Sequence, residues 1–188
     1  MAGLQQIFDS CRALYKKAYA NVKAMAEDVA AVLKEQGKKF DPRITTGKFD
    51  VILQYSLLQV AVSDNDLDRN ELIFIRDLTD QGDFVNYINS LAKTSITWEK
   101  LYNSNISDVQ KVLNSVEPVM VELSKEFVVV FTLCDLSTEH DFLDDFKKAI
   151  TALILGLSVM DGDPNSEDLN ESILIVGVLN AIQEIKNS

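Results

Sequence analysis

The chain has 188 residues, with 18 basic and 29 acidic side chains, a net charge of −11, two cysteines, one histidine, 7 glycines and 3 prolines. At this length one core buries roughly 70% of the surface that the unfolded chain exposes, so no metal or disulfide is required to hold it, and a hydrophobic content of 47% excludes disorder. Its apolar runs fall far short of the ~20 residues of a bilayer span, the first ten residues lack the pattern of a signal peptide, and the acidic balance argues against nucleic acid as a partner.

Few turn formers and abundant Ala, Leu, Lys, Glu and Gln predict an all-α, single-domain bundle of about seven or eight helices over 1–188. From Leu4, apolar residues recur every three or four positions through Ile7, Cys11, Leu14, Ala18, Val22, Met25 and Val29, which predicts a long N-terminal helix over 4–36 that stops near Gly37. Phe49 to Ser63 has too few polar positions for an exposed helix and belongs at the centre. Asp68 to Asp80 follows as a helix, then Phe84 to Lys93 as a short one, and Thr94 to Asn105 reads as an irregular crossing that carries Trp98. Ser107 is placed to cap a helix from Asp108 to about Asp135, in which Pro118 either makes a kink or opens a new first turn. The run Phe127-Val-Val-Val-Phe131 has strand propensity, but a lone strand has nothing to pair with, so it reads as buried helix. Asp141 to Met160 and Asp168 to Ile185 complete the bundle.

An internal repeat underlies this order. Residues 49–64 align with 146–161 at a constant offset of 97, with Phe49/Phe146, Leu58/Leu155, Val62/Val159 and Asp64/Asp161 identical. Beyond the acidic turn the offset becomes 100, where Asp68-Arg-Asn-Glu71 matches Asp168-Leu-Asn-Glu171. Two units of buried helix, acidic turn and second helix, over 49–80 and 146–185, imply approximate two-fold symmetry.

In each unit Asp68 or Asp168 is a good N-cap, and Glu71 or Glu171 lies where a capping-box glutamate belongs. Capping leaves Asp64 and Asp66, with Asp161 and Asp163, unexplained, because crowded carboxylates repel one another. A hard divalent cation, Ca²⁺ or Mg²⁺, would relieve that repulsion. The turns begin like EF-hand loops, but the sixth position is Arg69 or Ser166 rather than Gly, and the twelfth is Ile75 or Ser172 rather than Glu, so an EF-hand is rejected.

The stretch Ala61-Val-Ser-Asp64-Asn-Asp-Leu-Asp68-Arg-Asn-Glu71 resembles the A-x-x-D-G-x-x-x-x-x-E signature of the tellurite-resistance TerB-like family, with Asn65 at the family's Gly. The resemblance covers 49–80 and, more loosely, 146–180. It implies an all-helical fold, a bacterial stress-response context without a known catalytic reaction, and an acidic, metal-binding surface. The residues it implies are Asp64, Asp66, Asp68 and Glu71, with Asp161, Asp163, Asp168 and Glu171.

Nothing else in the chain favours chemistry. His140 has no second histidine for a zinc site and reads as a surface loop residue. Cys11 and Cys134 read as buried thiols rather than as a bridge or nucleophiles. No phosphate-binding glycine motif occurs, so the protein is expected not to be an enzyme and to hold no organic cofactor. Residues 1–48 carry a net charge of +4 and residues 49–188 carry −15. Arg12, Lys16 and Lys23 share one face of the first helix, a surface for anionic lipid at the inner face of the membrane or, as the plainer reading, a solvated face. Tyr15, Tyr19 and Met25 read as packing residues. The expected function is therefore that of a cytoplasmic protein whose acidic turns bind a divalent cation and so modulate association with a protein partner or a membrane surface; a homodimer is compatible with the sequence. The alternative is a metal-independent helical interaction module whose acidic face binds a basic partner.

Overall fold

A helix of 34 residues with an apolar stripe needs a long surface to lie on, and it obtains one from several helices at once. The computed structural model describes residues 2–63, 67–79, 83–92, 95–137, 141–160, 177–178, 180–182 and 184–185. Helix α1 (Ala2–Glu35) is about 51 Å long at 1.5 Å per residue. It packs against α2 (Pro42–Ala61), α3 (Arg69–Leu78) and most extensively α7 (Phe142–Leu157). Between these lie α4 (Phe84–Ala92), α5 (Trp98–Tyr102) and the long α6 (Ile106–Ser137). Further helical residues fall between 177 and 185, and no strand occurs among the described residues. The all-α expectation holds.

The helix ends follow local chemistry. Gly37, at φ 70°, takes the left-handed conformation that glycine tolerates, and it lets the Lys38 and Gly37 amides bond the Leu33 and Lys34 carbonyls at 2.9 and 3.0 Å. That pairing satisfies the last carbonyls of α1. Helix α2 starts at Pro42, seven residues before the expected Phe49. Asp41 caps it through the Arg43 amide and Pro42 occupies its first turn, a signal that Asp-Pro carries in the sequence. Arg43 also bonds the Asp41 carboxylate at 2.8 and 3.0 Å and holds it below the usual carboxylate range.

Two further expectations need correction. The supposedly irregular stretch 94–105 contains α5, which begins where the Thr97 hydroxyl accepts the Lys100 amide at 3.1 Å. Helix α6 begins at Ile106, and its first turn is capped by Asn105, whose side chain accepts the Asp108 amide at 3.0 Å, rather than by Ser107. Pro118 lies inside continuous α6 and starts no new helix.

Helix α2 is the centre, with buried residues on most of its faces from Phe49 to Ala61. Around Phe49 the rings of Tyr15, Tyr19, Phe127 and Phe146 stand 5.8 to 6.5 Å away, and Phe131 stacks on Phe146 at 5.1 Å. This aromatic cluster joins α1, α2, α6 and α7. It accounts for Tyr15 and Tyr19, and Met25 is likewise buried, so all three are packing residues.

The α1–α7 contact is close because Gly156 has no side chain. A Cβ there would stand 2.5 Å from Cys11 Sγ and 3.3 Å from Ile7 Cγ2. Alanine normally gains about 1 kcal/mol over glycine inside a helix, but overpacking costs about 1–3 kcal/mol. Gly156→Ala is therefore expected to destabilise by roughly 1 kcal/mol in urea unfolding, where an open site would be stabilised. Adding Cys11→Ala removes the sulfur and should recover the loss; equal values for the single and double variants would refute the clash.

The same two helices are clasped at their polar edge, where Lys17 Nζ and Asn21 Nδ2 each donate to the Asp145 carboxylate at 2.9 Å. Burial pushes this carboxyl up, but the hydrogen bonds from Lys17 and Asn21 and the charges of Lys17 and Lys148 outweigh it and hold the group below its ordinary value. A depressed carboxyl pKa contributes stability above the unfolded value, near 3.9, and loses it as pH falls through the folded value. Asp145→Asn is accordingly expected to lower stability at pH 7 by under about 1 kcal/mol. It should also flatten the acid limb of a melting-temperature profile, and a limb as steep as in the parent would contradict this.

Candidate functional site

The first acidic turn is only partly within the described residues, and what is described there is a cap. The Asp68 side chain accepts the Asn70 amide, and the Glu71 carboxylate accepts the Asp68 amide at 3.0 Å, a reciprocal capping box at the start of α3. Glu71 is buried and Asp68 half-buried. These two carboxylates therefore hold the helix start. Asp64, Asp66, Asp161, Asp163, Asp168 and Glu171 lie outside the described residues, as does His140. Among the described residues no group of three or more His, Cys, Asp or Glu side chains is placed to hold a metal ion.

The Cys134 side chain lies outside what is described, and the remaining candidates are packing or surface residues. Cys11 is a free, fully buried thiol whose Sγ lies 3.5 Å from the Ala152 carbonyl oxygen, and burial pushes it up to about 12. A thiol so rarely ionised near pH 7 is a poor nucleophile. On α1, Lys16 and Lys23 are exposed and Arg12 is half-buried. Lys23 stands 3.9 Å from Glu27. No helix among the described residues is long and apolar enough to cross a membrane.

The feature that asks for a functional explanation lies on α6. Five consecutive apolar residues cannot all face one way on a helix that turns 100° per residue. Phe127 and Phe131 enter the core, whereas Val128 and Val129 are 48% and 56% exposed. The expectation of a wholly buried run is thus half wrong, and for a geometric reason. Two turns earlier, Val121 is also exposed, and its neighbour Met120 is fully buried.

Together with Tyr55 and Ser56 of α2, these side chains line a shallow groove between the two helices. Its polar fittings are few. Gln59 Nε2 donates to the Tyr55 hydroxyl at 2.8 Å. Burial raises the Tyr55 pKa; the Gln59 hydrogen bond works against that, and the Glu117 carboxylate adds to it. Glu122 pairs with Lys125 at 2.8 Å on the outer rim. Among the described residues no nucleophile is aimed into the groove; its floor is apolar, Lys125 lines its edge with Glu122 as ion-pair partner, and the Glu117 charge lies near Tyr55. Sequence reasoning missed it, although the unbroken run 127–131 was its signal.

Compared with known proteins, the chain matches no family model, no curated protein and no solved structure.

Proposed function

We propose that the protein is a non-enzymatic helical interaction module that takes a basic amphipathic helix of a partner protein into the groove between α2 and α6. The observation that carries the reading is the exposed valine face of α6, Val121, Val128 and Val129, beside Tyr55. Contiguous exposed apolar surface with a polar rim is characteristic of interaction sites. A basic partner is favoured by the −11 of the whole chain and by Glu117 near Tyr55, while Lys125 at the groove edge is already paired with Glu122. A helix lays apolar anchors three and four residues apart into such a groove and keeps Lys or Arg outward against the rim.

Titrating a fluorescent, Lys-rich amphipathic peptide tests this. Binding should weaken at least about tenfold in Val128→Lys/Val129→Lys, as expected when central contacts are lost and like charge is introduced. It should also fall with salt and ignore chelator. An affinity unchanged by the double substitution would refute the reading.

The cation-modulated, TerB-like function is a second reading. It is supported by the surplus of carboxylates in 64–71 and 161–171 over what the Asp68–Glu71 capping box uses. The paired units behind it find support in Phe49 and Phe146, which the repeat equates and whose rings meet at 5.8 Å. Both members of the Val62/Val159 pair are also buried. In this reading Ca²⁺ or Mg²⁺ sits on the acidic turns, and a protein partner or an anionic membrane surface touched by the Lys16–Lys23 face responds to it. Melting chelator-stripped protein with and without each ion, repeated on Asp64→Ala, separates the two readings. An ion-induced rise that the substitution abolishes supports the second reading.

A further inference from the structure

On the opposite flank of α6, away from the groove, α1, α2 and α6 leave a pocket of about 160 Å³ between them. Its walls are apolar: Met25, Ala26 and Val29 from α1, Phe127 and Val130 from α6. Phe40, in the link between α1 and α2, edges it and is 38% exposed. An apolar cavity of roughly 150 Å³ accommodates a six-carbon ring, so this one has room for a hydrocarbon group of that size.

The rim supplies the second half of a recognition site. Lys48 and Glu126 face each other there at 3.7 Å, beyond hydrogen-bond length. Both line the pocket, and their side chains are 35% and 64% exposed, so Lys48 is the more buried of the two. The pocket edge thus holds a half-buried positive group whose partner stands at a loose 3.7 Å and is the more exposed of the pair.

We propose that this pocket binds a short alkyl carboxylate, its hydrocarbon chain among Met25, Val29, Phe127 and Val130 and its carboxylate on Lys48, in exchange for Glu126. The chain is desolvated by the apolar walls, and the head keeps a charge-assisted contact at the water boundary. Glu126 is then a competitor of the ligand rather than a partner, which reverses the usual expectation for removing one half of an ion pair.

The test uses the full chain with ¹³C-methyl methionine, titrated with hexanoate and, separately, with 1-hexanol to millimolar concentrations. The Met25 methyl lies in the pocket, and Met120, in the groove on the other flank, is the internal reference. Hexanoate should shift Met25 saturably and leave Met120 in place, with an affinity about threefold to fivefold above hexanol, the range of a half-exposed ion pair. Lys48→Gln should abolish that preference, and Glu126→Gln should tighten hexanoate binding. Both positions are partly exposed, so both variants should fold. Val29→Trp should remove binding of both ligands by filling the pocket. No saturable Met25 shift, equal affinities for the two ligands, or weaker hexanoate binding in Glu126→Gln would each overturn the proposal.

Discussion

Phe131→Ala is expected to destabilise the protein by about 3–5 kcal/mol, the range for truncating a large aromatic side chain in a packed core. Phe131 is fully buried and lies 5.1 Å from Phe146 and 6.1 Å from Phe127. Both neighbours are themselves held against Phe49, at 5.8 and 6.2 Å. Their rings are therefore not free to collapse into the space left behind, and cost rises with the cavity that remains. In a chain of this size the loss corresponds to a fall in melting temperature of roughly 10 °C. Phe131→Leu keeps most of the volume and should cost under about 1.5 kcal/mol. A difference between the two variants of less than about 1 kcal/mol would mean that the four-helix aromatic cluster is not what binds α6 to the core.

Gln54→Leu is expected to cost about 2–3 kcal/mol, the scale of a lost hydrogen bond plus a stranded buried donor. The Gln54 side chain is 1% exposed. Its Oε1 accepts the amide of Phe84 at 2.7 Å, and its Nε2 donates to the Thr79 hydroxyl at 2.7 Å. One residue of α2 thereby ties the end of α3 to the start of α4. Leucine is similar in bulk, so the cost comes from the Phe84 N–H, which is buried and loses its acceptor. Urea unfolding gives the magnitude. Hydrogen exchange locates it, and the Phe84 amide should lose protection far more than amides of α6. Uniform loss across the protein would contradict the local account.

Helices were legible in this sequence wherever periodicity was long and punctuation clear. The stripe of α1 and its stop at Gly37, and the Asp68 start of α3 with Glu71 three positions on, are local patterns whose physics is local too. Errors arose where a different signal competed. Asp41-Pro42 marks the start of α2, but the apolar block that begins at Phe49 is the stronger pattern, because burial involves more residues than a cap. Thr97 starts a helix only five residues long, too short to show a period. At Ser107, a good capping residue sat two positions beyond the one used, Asn105.

The groove and the pocket on which the proposals rest were harder to read because they depend on tertiary placement. Periodicity reveals that α6 has apolar residues on every side; only packing reveals that Phe127 faces in and Val128 faces out. The pocket beside Lys48 is more remote still, since α1, α2 and α6 bring together residues from 25 to 130. For the acidic turn the sequence offered two chemistries for one set of residues, and the structure assigns Asp68 and Glu71 to capping.

The central claim is that the valine face of α6, without any metal ion, is the surface that meets a partner. The most direct measurement is methyl-resolved chemical-shift mapping of the whole chain during titration with a Lys-rich amphipathic peptide, once with chelator and once with Ca²⁺. The account predicts that shifts concentrate on Val121, Val128 and Val129 with the Met120 methyl, identically in both conditions. Shifts that cluster around residues 61–72 instead, or that appear only when Ca²⁺ is present, would contradict it and make the acidic turns the functional site.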